Sequence, residues 1–141
     1  MQSDSMQKDL KQLRRIREVR ASKQRRQVAK IQGILVSQEN EIKKLSEQKT
    51  VEQTEHSNLR DQTLKSFNEK VVKVDAFMAL QKRESLYRNR QKSLDYQAKK
   101  IESESIETER QLDSAREVSR TLEKRLLKIE ELVDKLFRTW T

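Results

Sequence analysis

Leu112, Ala115, Ser119, Leu122, Leu126, Ile129, Val133, Leu136 and Trp140 follow one another at steps of three and four. Carried backwards, the same frame meets Ile101, Ala98, Leu94 and Tyr87. A seam kept for this many turns is a coiled-coil heptad, and it commits the second half of the chain to one long helix. No Pro occurs in the 141 residues, and the only Gly is Gly33. A globular chain of this length needs several turns, and turns consume those two residue types. Ala, Glu, Lys, Leu and Arg make up close to half of the sequence, the composition of coiled coils and long helices. Apolar residues amount to 33%. That is too little for a thick core but enough for a two-helix seam.

The first half repeats the pattern less cleanly. Val28, Ile31, Leu35, Ile42 and Leu45 share a frame that Leu59 continues, while Gln38, Lys49, Glu52 and His56 interrupt it. Residues 46–66 are short of apolar groups, which predicts a weakly packed, hydrated stretch. Near the start, Leu10, Leu13, Ile16 and Val19 recur every third residue. A period of three drifts around a helix, so the seam is expected to shift phase between Val19 and Val28.

Two helical halves need a turn. Val71-Val-Lys-Val-Asp75 is the best position, because three β-branched residues weaken helix and Asp75 suits an N-cap. Val74 and Ala79 would form a modest hydrophobic staple across it. In an antiparallel pair, facing residue numbers have a constant total. Leu10 with Leu136, Leu13 with Val133, Ile31 with Ala115, Leu45 with Ile101 and Leu59 with Tyr87 all total 146. The expected fold is therefore all-α: a long antiparallel two-helix coiled-coil hairpin forming a single domain, 1–141. It has a helix over about 6–70, a turn at about 71–75 and a helix over about 76–139. Each arm holds roughly 65 residues, about 100 Å of helix. One continuous helix in a parallel dimer is the competing architecture; the break at 71–75 and the unequal halves argue against it.

Chemistry finds little footing. The chain has no Cys, and the only His, His56, sits among Glu52, Glu55 and Arg60. Metal sites and catalytic triads need several converging groups. Carboxylate pairs such as Glu39/Glu41 and Glu102/Glu104 are two residues apart, on different faces of a helix. A single Gly excludes a glycine-rich phosphate loop. No catalytic residue, metal ligand or cofactor site is expected. Met1-Gln-Ser-Asp-Ser-Met6 offers no apolar signal region, and no run approaches the ~20 apolar residues that span a bilayer. A soluble, intracellular chain without membrane insertion is expected.

Binding surface is more plentiful. The net charge is +9, and residues 1–30 hold ten Lys/Arg against Asp4, Asp9 and Glu18. The tract Arg14-Arg-Ile-Arg-Glu-Val-Arg20, continued by Lys23, Arg25, Arg26 and Lys30, spreads its charge around the helix, and no aromatic precedes Phe67. Both features argue against a nucleic-acid arm. A solvated helix end and a site for an acidic protein remain open. At the other end of the chain, Leu127, Leu132 and Phe137 lie beside the seam and widen it beyond what one partner helix covers. Surplus of that kind marks an interface or packs against Met6 or Val19. Phe77, Met78 and Leu80 crowd past the turn, with Phe67 before it, and a two-helix tip cannot bury them all.

Taken together, the chain resembles the YscO/FliJ family of central-stalk proteins in bacterial type III secretion and flagellar export, most closely its YscO branch. The resemblance covers nearly the whole chain. It rests on size, the basic tract Leu13-Arg-Arg-Ile-Arg-Glu-Val-Arg20, the long polar middle, the Phe77-Met-Ala-Leu80 tip and the Leu126–Trp140 end. It implies a non-enzymatic coiled-coil stalk at the cytoplasmic face of the inner membrane, similar to rotary-ATPase gamma subunits. The implied partners are the hexameric secretion ATPase, the export gate, export chaperones and, for some members, the needle-length ruler. Carried over by position, Arg14, Arg15, Arg17, Arg20, Arg25 and Arg26 would meet the ATPase together with Leu127, Leu132, Phe137 and Trp140. Phe77, Met78 and Leu80 would meet the gate or a chaperone. A generic coiled-coil tether and a nucleic-acid-binding coiled coil are the alternatives.

Overall fold

The computed structural model describes residues 2–69 and 73–140, with side chains described from residue 4 to 68 and from 73 to 139. Two helices account for nearly all of it: α1, Gln2–Glu69, and α2, Val74–Trp140. They pack against each other as an all-α helical hairpin. Gly33 stays helical in α1, with nothing within 4 Å of where its Cβ would stand.

The start of α2 differs from expectation. The Lys73 carbonyl accepts hydrogen bonds from the amides of Ala76 at 3.0 Å and Phe77 at 3.2 Å. Lys73 thus fills the N-cap backbone role expected of Asp75. Val74 and Asp75 already lie in the first turn of α2, where the Asp75 carboxylate complements the positive end of the helix dipole. Arg138 does the opposite service in the last turn. Val74 is 73% exposed, so no Val74–Ala79 staple forms. Val71 and Val72 of the expected turn lie outside the described residues.

The packing divides into two compact units. The first combines Met1–Val36 with Glu107–Thr141; the second is Ser37–Ile106. In the first unit, Ala21, Leu126 and Ile129 form one buried cluster, with Leu10 and Leu122 packed on it. Ile31, Leu112 and Ala115 form another, joined by Val28 and Leu35. The less exposed positions of α1 here are Gln7, Leu10, Arg14, Arg17, Ala21, Gln24, Val28, Ile31 and Leu35, an unbroken run of three- and four-residue steps. The expected phase shift is therefore absent. Leu13, Ile16 and Val19 face solvent instead. Arg14 and Arg17 hold seam positions at intermediate burial, their head groups engaging Glu18 and the Arg125 carbonyl. Ala21, only 1% exposed, lets α2 approach closely enough for Leu126 and Ile129 to cover it.

The second unit is poorer in apolar contact. Its buried residues, among those described, are Leu94 and Ser105. Polar groups occupy the seam over the stretch expected to be weak. Lys49 pairs with Asp95 at 2.7 Å and Glu52 with Arg90 at 3.3 Å. His56 stacks on Tyr87 with ring centroids 3.7 Å apart and contacts Glu84 at 3.2 Å. Val51, Leu59 and Leu64 remain partly exposed.

The ring pair His56–Tyr87 totals 143, not the 146 expected of Leu59–Tyr87, whereas Ile31 and Ala115, expected to face each other, do share a cluster. Tyr87 meets His56, three residues before the Leu59 that apolar matching assigned to it. A slip of three or four residues keeps seam on seam in a heptad frame, so matching apolar letters alone does not reject it.

Candidate functional site

No assembly of reactive groups emerges, and no cluster of three or more metal-ligating side chains occurs among the described residues. His56 serves the seam: its ring lies flat on Tyr87, and Nε2 reaches Glu84 Oε2. No helix among the described residues is long and apolar enough to cross a membrane. The features left to consider are surfaces.

The basic arm divides into engaged and unengaged cations. Arg14 pairs with Glu18 one turn on, at 3.6 Å. Arg17 donates a hydrogen bond to the Arg125 carbonyl at 2.8 Å, and Arg25 pairs with Glu123 across the two helices. Those three arginines therefore contribute to the hairpin itself. Arg15, Arg20 and Arg26 are exposed and have no ion pair among the described residues. Any partner of opposite charge would find those three without an internal competitor.

The C-terminal apolar residues do not form one face. Leu127 is 56% exposed and Leu132 45%. Five residues separate them, about 140° around a helix, so they emerge on opposite flanks of the seam. Phe137 is half-buried, with the Lys11 ammonium 5.3 Å from its ring centroid, a cation–π contact. Met6 and Val19, expected as possible cover, are themselves exposed. The Trp140 side chain lies outside the described residues.

At the start of α2, Phe77 and Met78 are both exposed, and Val74 joins them one turn earlier. Spacings of three and four place the three side chains together as one apolar patch. Val74 was missed as a surface residue because its β-branched neighbours were read as turn. Leu80 turns inward instead. It lines a cavity of about 580 Å³ with Leu64, between Arg60, Glu84, Arg88 and Lys92.

Sequence reasoning also missed a groove along one flank of the first unit. Leu13, Arg17, Arg20, Leu122 and Arg125 line one cavity of about 170 Å³. Arg20 and Leu122 also border the next, of about 430 Å³, which adds Lys23, Gln24 and Gln27. Gln24 and Gln27 in turn border a third, of about 540 Å³, reaching Ile31 and Val118. Residues on two helices line it, so no single-helix pattern reveals it. No family model matches the chain, and neither a curated protein nor a solved structure matches it.

Proposed function

We propose that this chain is a non-enzymatic central stalk of a bacterial type III secretion export apparatus, working at the cytoplasmic face of the inner membrane. It would couple the hexameric secretion ATPase to the export gate and bind export chaperones. The observation that carries this reading is surface that the hairpin does not use. The first unit keeps Arg15, Arg20 and Arg26 without internal ion pairs, and the second keeps Val74, Phe77 and Met78 uncovered. A two-helix protein gains nothing in stability from either set. Cations attract an acidic channel over about a Debye length, an attraction that salt weakens. An apolar patch supplies short-range area for a second partner.

The test is capture of the purified secretion ATPase by the full chain. Arg15→Glu, Arg20→Glu and Arg26→Glu together should abolish capture, while Phe77→Ser with Met78→Ser should spare it and lose the gate or chaperone. Undiminished ATPase capture by the arginine variant would remove this assignment. The exposure of Leu127 and Leu132 favours one other reading, a tether that dimerises through them. Light scattering separates the two: an obligate dimer broken by Leu127→Ser and Leu132→Ser would favour the tether.

A further inference from the structure

We infer that the flank groove of the first unit is a docking site for an acidic amphipathic helix. Its three cavities are contiguous through shared lining residues, from Leu13 to Ile31 along α1. That span of 18 residues is about 27 Å, five turns of a partner helix. Apolar residues lie at both ends, Leu13 and Leu122 at one and Ile31, Ala115 and Val118 at the other, with Gln24 and Gln27 between them and Glu107, Arg110, Gln111 and Ser114 beside the Val118 end. The walls at the Leu122 end carry Arg20, Lys23 and Arg125.

Charge complementarity identifies the occupant. Glu18 pairs with Arg14 and Glu123 with Arg25 away from the groove, while Glu107 and Arg110, which line its Val118 end, neutralise each other there, so the uncompensated charge lies at the Leu122 end. The side chains of Arg20, Lys23 and Arg125 have no such partner among the described residues. Arg17 is held in place by its bond to the Arg125 carbonyl, which fixes one wall before anything docks. Apolar ends beside cationic walls suit a helix with a leucine stripe flanked by carboxylates, the helix-in-groove mode of recognition. Nucleic acid fits less well. The groove offers it no aromatic platform, and phosphates would leave the apolar ends without a counterpart.

This inference stands on the groove and not on the secretion reading. The probe is a labelled 18-residue peptide with leucine at heptad positions a and d and glutamate at e and g, titrated into the full chain by fluorescence anisotropy. Arg20→Glu, Lys23→Glu and Arg125→Glu together should weaken binding at least roughly tenfold, since several partly exposed charge pairs are lost at once. Lys128→Glu, an equal charge change on an exposed residue outside the groove, should leave it unchanged. Should the triple reversal reduce the helical signal at 222 nm, Arg20→Gln with Lys23→Gln replaces it. Equal affinity for a peptide with serine in place of leucine would overturn the inference. So would tighter binding of a DNA duplex at the same site, or light scattering showing that a second copy fills the groove. Peptide binding without ATPase capture would keep the groove and sink the stalk reading; ATPase capture without peptide binding would do the reverse.

Discussion

Gln91 gives the sharpest test of how the second unit is held together. It lies on the α2 seam, and both Nε2 and Oε1 are buried without a hydrogen-bond partner. A buried amide without partners costs about 1–3 kcal/mol. Leucine at the same place removes that cost and adds apolar burial, worth about 1.5–3 kcal/mol for a fully buried side chain. Gln91 is only half-buried, and the nearby Glu52–Arg90 and His56–Glu84 pairs keep this part of the seam polar. The full sum therefore does not apply. Gln91→Leu should stabilise by about 1–3 kcal/mol. Gln24 is the comparison. It also sits on the seam, but its Nε2 donates to the Ala115 carbonyl at 3.0 Å. Leucine there gains apolar area and loses a bond worth about 0.5–1.5 kcal/mol, for a net change near zero. Urea melts followed by circular dichroism would give both values from the midpoint, provided the slope is unchanged. A neutral or destabilising Gln91→Leu, or equal gains at the two sites, would show that the buried-amide reasoning is wrong.

Other outcomes follow from the same contacts. Leu94 is the largest fully buried side chain among the described residues, so Leu94→Ala should cost about 2–4 kcal/mol in a thermal or urea melt. Gly33→Ala should stabilise by about 0.5–1 kcal/mol, because the added methyl meets open space and the unfolded chain loses freedom. Phe77→Ser with Met78→Ser should move stability by no more than about 0.5 kcal/mol while lowering the fluorescence of an apolar dye, since both side chains are already exposed.

The α2 heptad was readable because apolar letters hold most of it from Tyr87 to Leu136, although Gln91, Ser105, Thr108 and Ser119 also occupy the frame. The α1 seam was readable only in part, because Arg14, Arg17, Gln24, Lys49, Glu52 and His56 occupy positions where a pattern of apolar letters sees gaps. Stepping Val28 and Ile31 strictly backwards by heptads would have reached Ala21 and Leu10, the residues that pack with Leu126 and Ile129. The attraction of Leu13, Ile16 and Val19 as core obscured that. At Tyr87 the expected partner was off by three because polar contacts such as His56 with Tyr87 help choose among seam-on-seam alignments that apolar matching leaves equivalent. The candidate surfaces split the same way. Exposure of Phe77 and Met78 follows from their place at the start of a helix in a narrow fold. Which arginines are spent inside the hairpin depends on cross-helix partners, Glu123 and the Arg125 carbonyl, that only the register brings near.

Both units, and every surface considered, exist only if α1 folds back onto α2 within one chain. The chain has no Cys, so Val28→Cys with Ala115→Cys introduces the only two thiols. These positions pack in one cluster, and a disulfide forms where Cα atoms approach within about 7 Å. Mild oxidation should give an intrachain bond, seen as a faster-migrating monomer on a non-reducing gel. A cross-linked dimer from the double variant, and equally from Val28→Cys alone, would mean that residue 28 faces its own copy in a parallel pair, and the hairpin would be wrong.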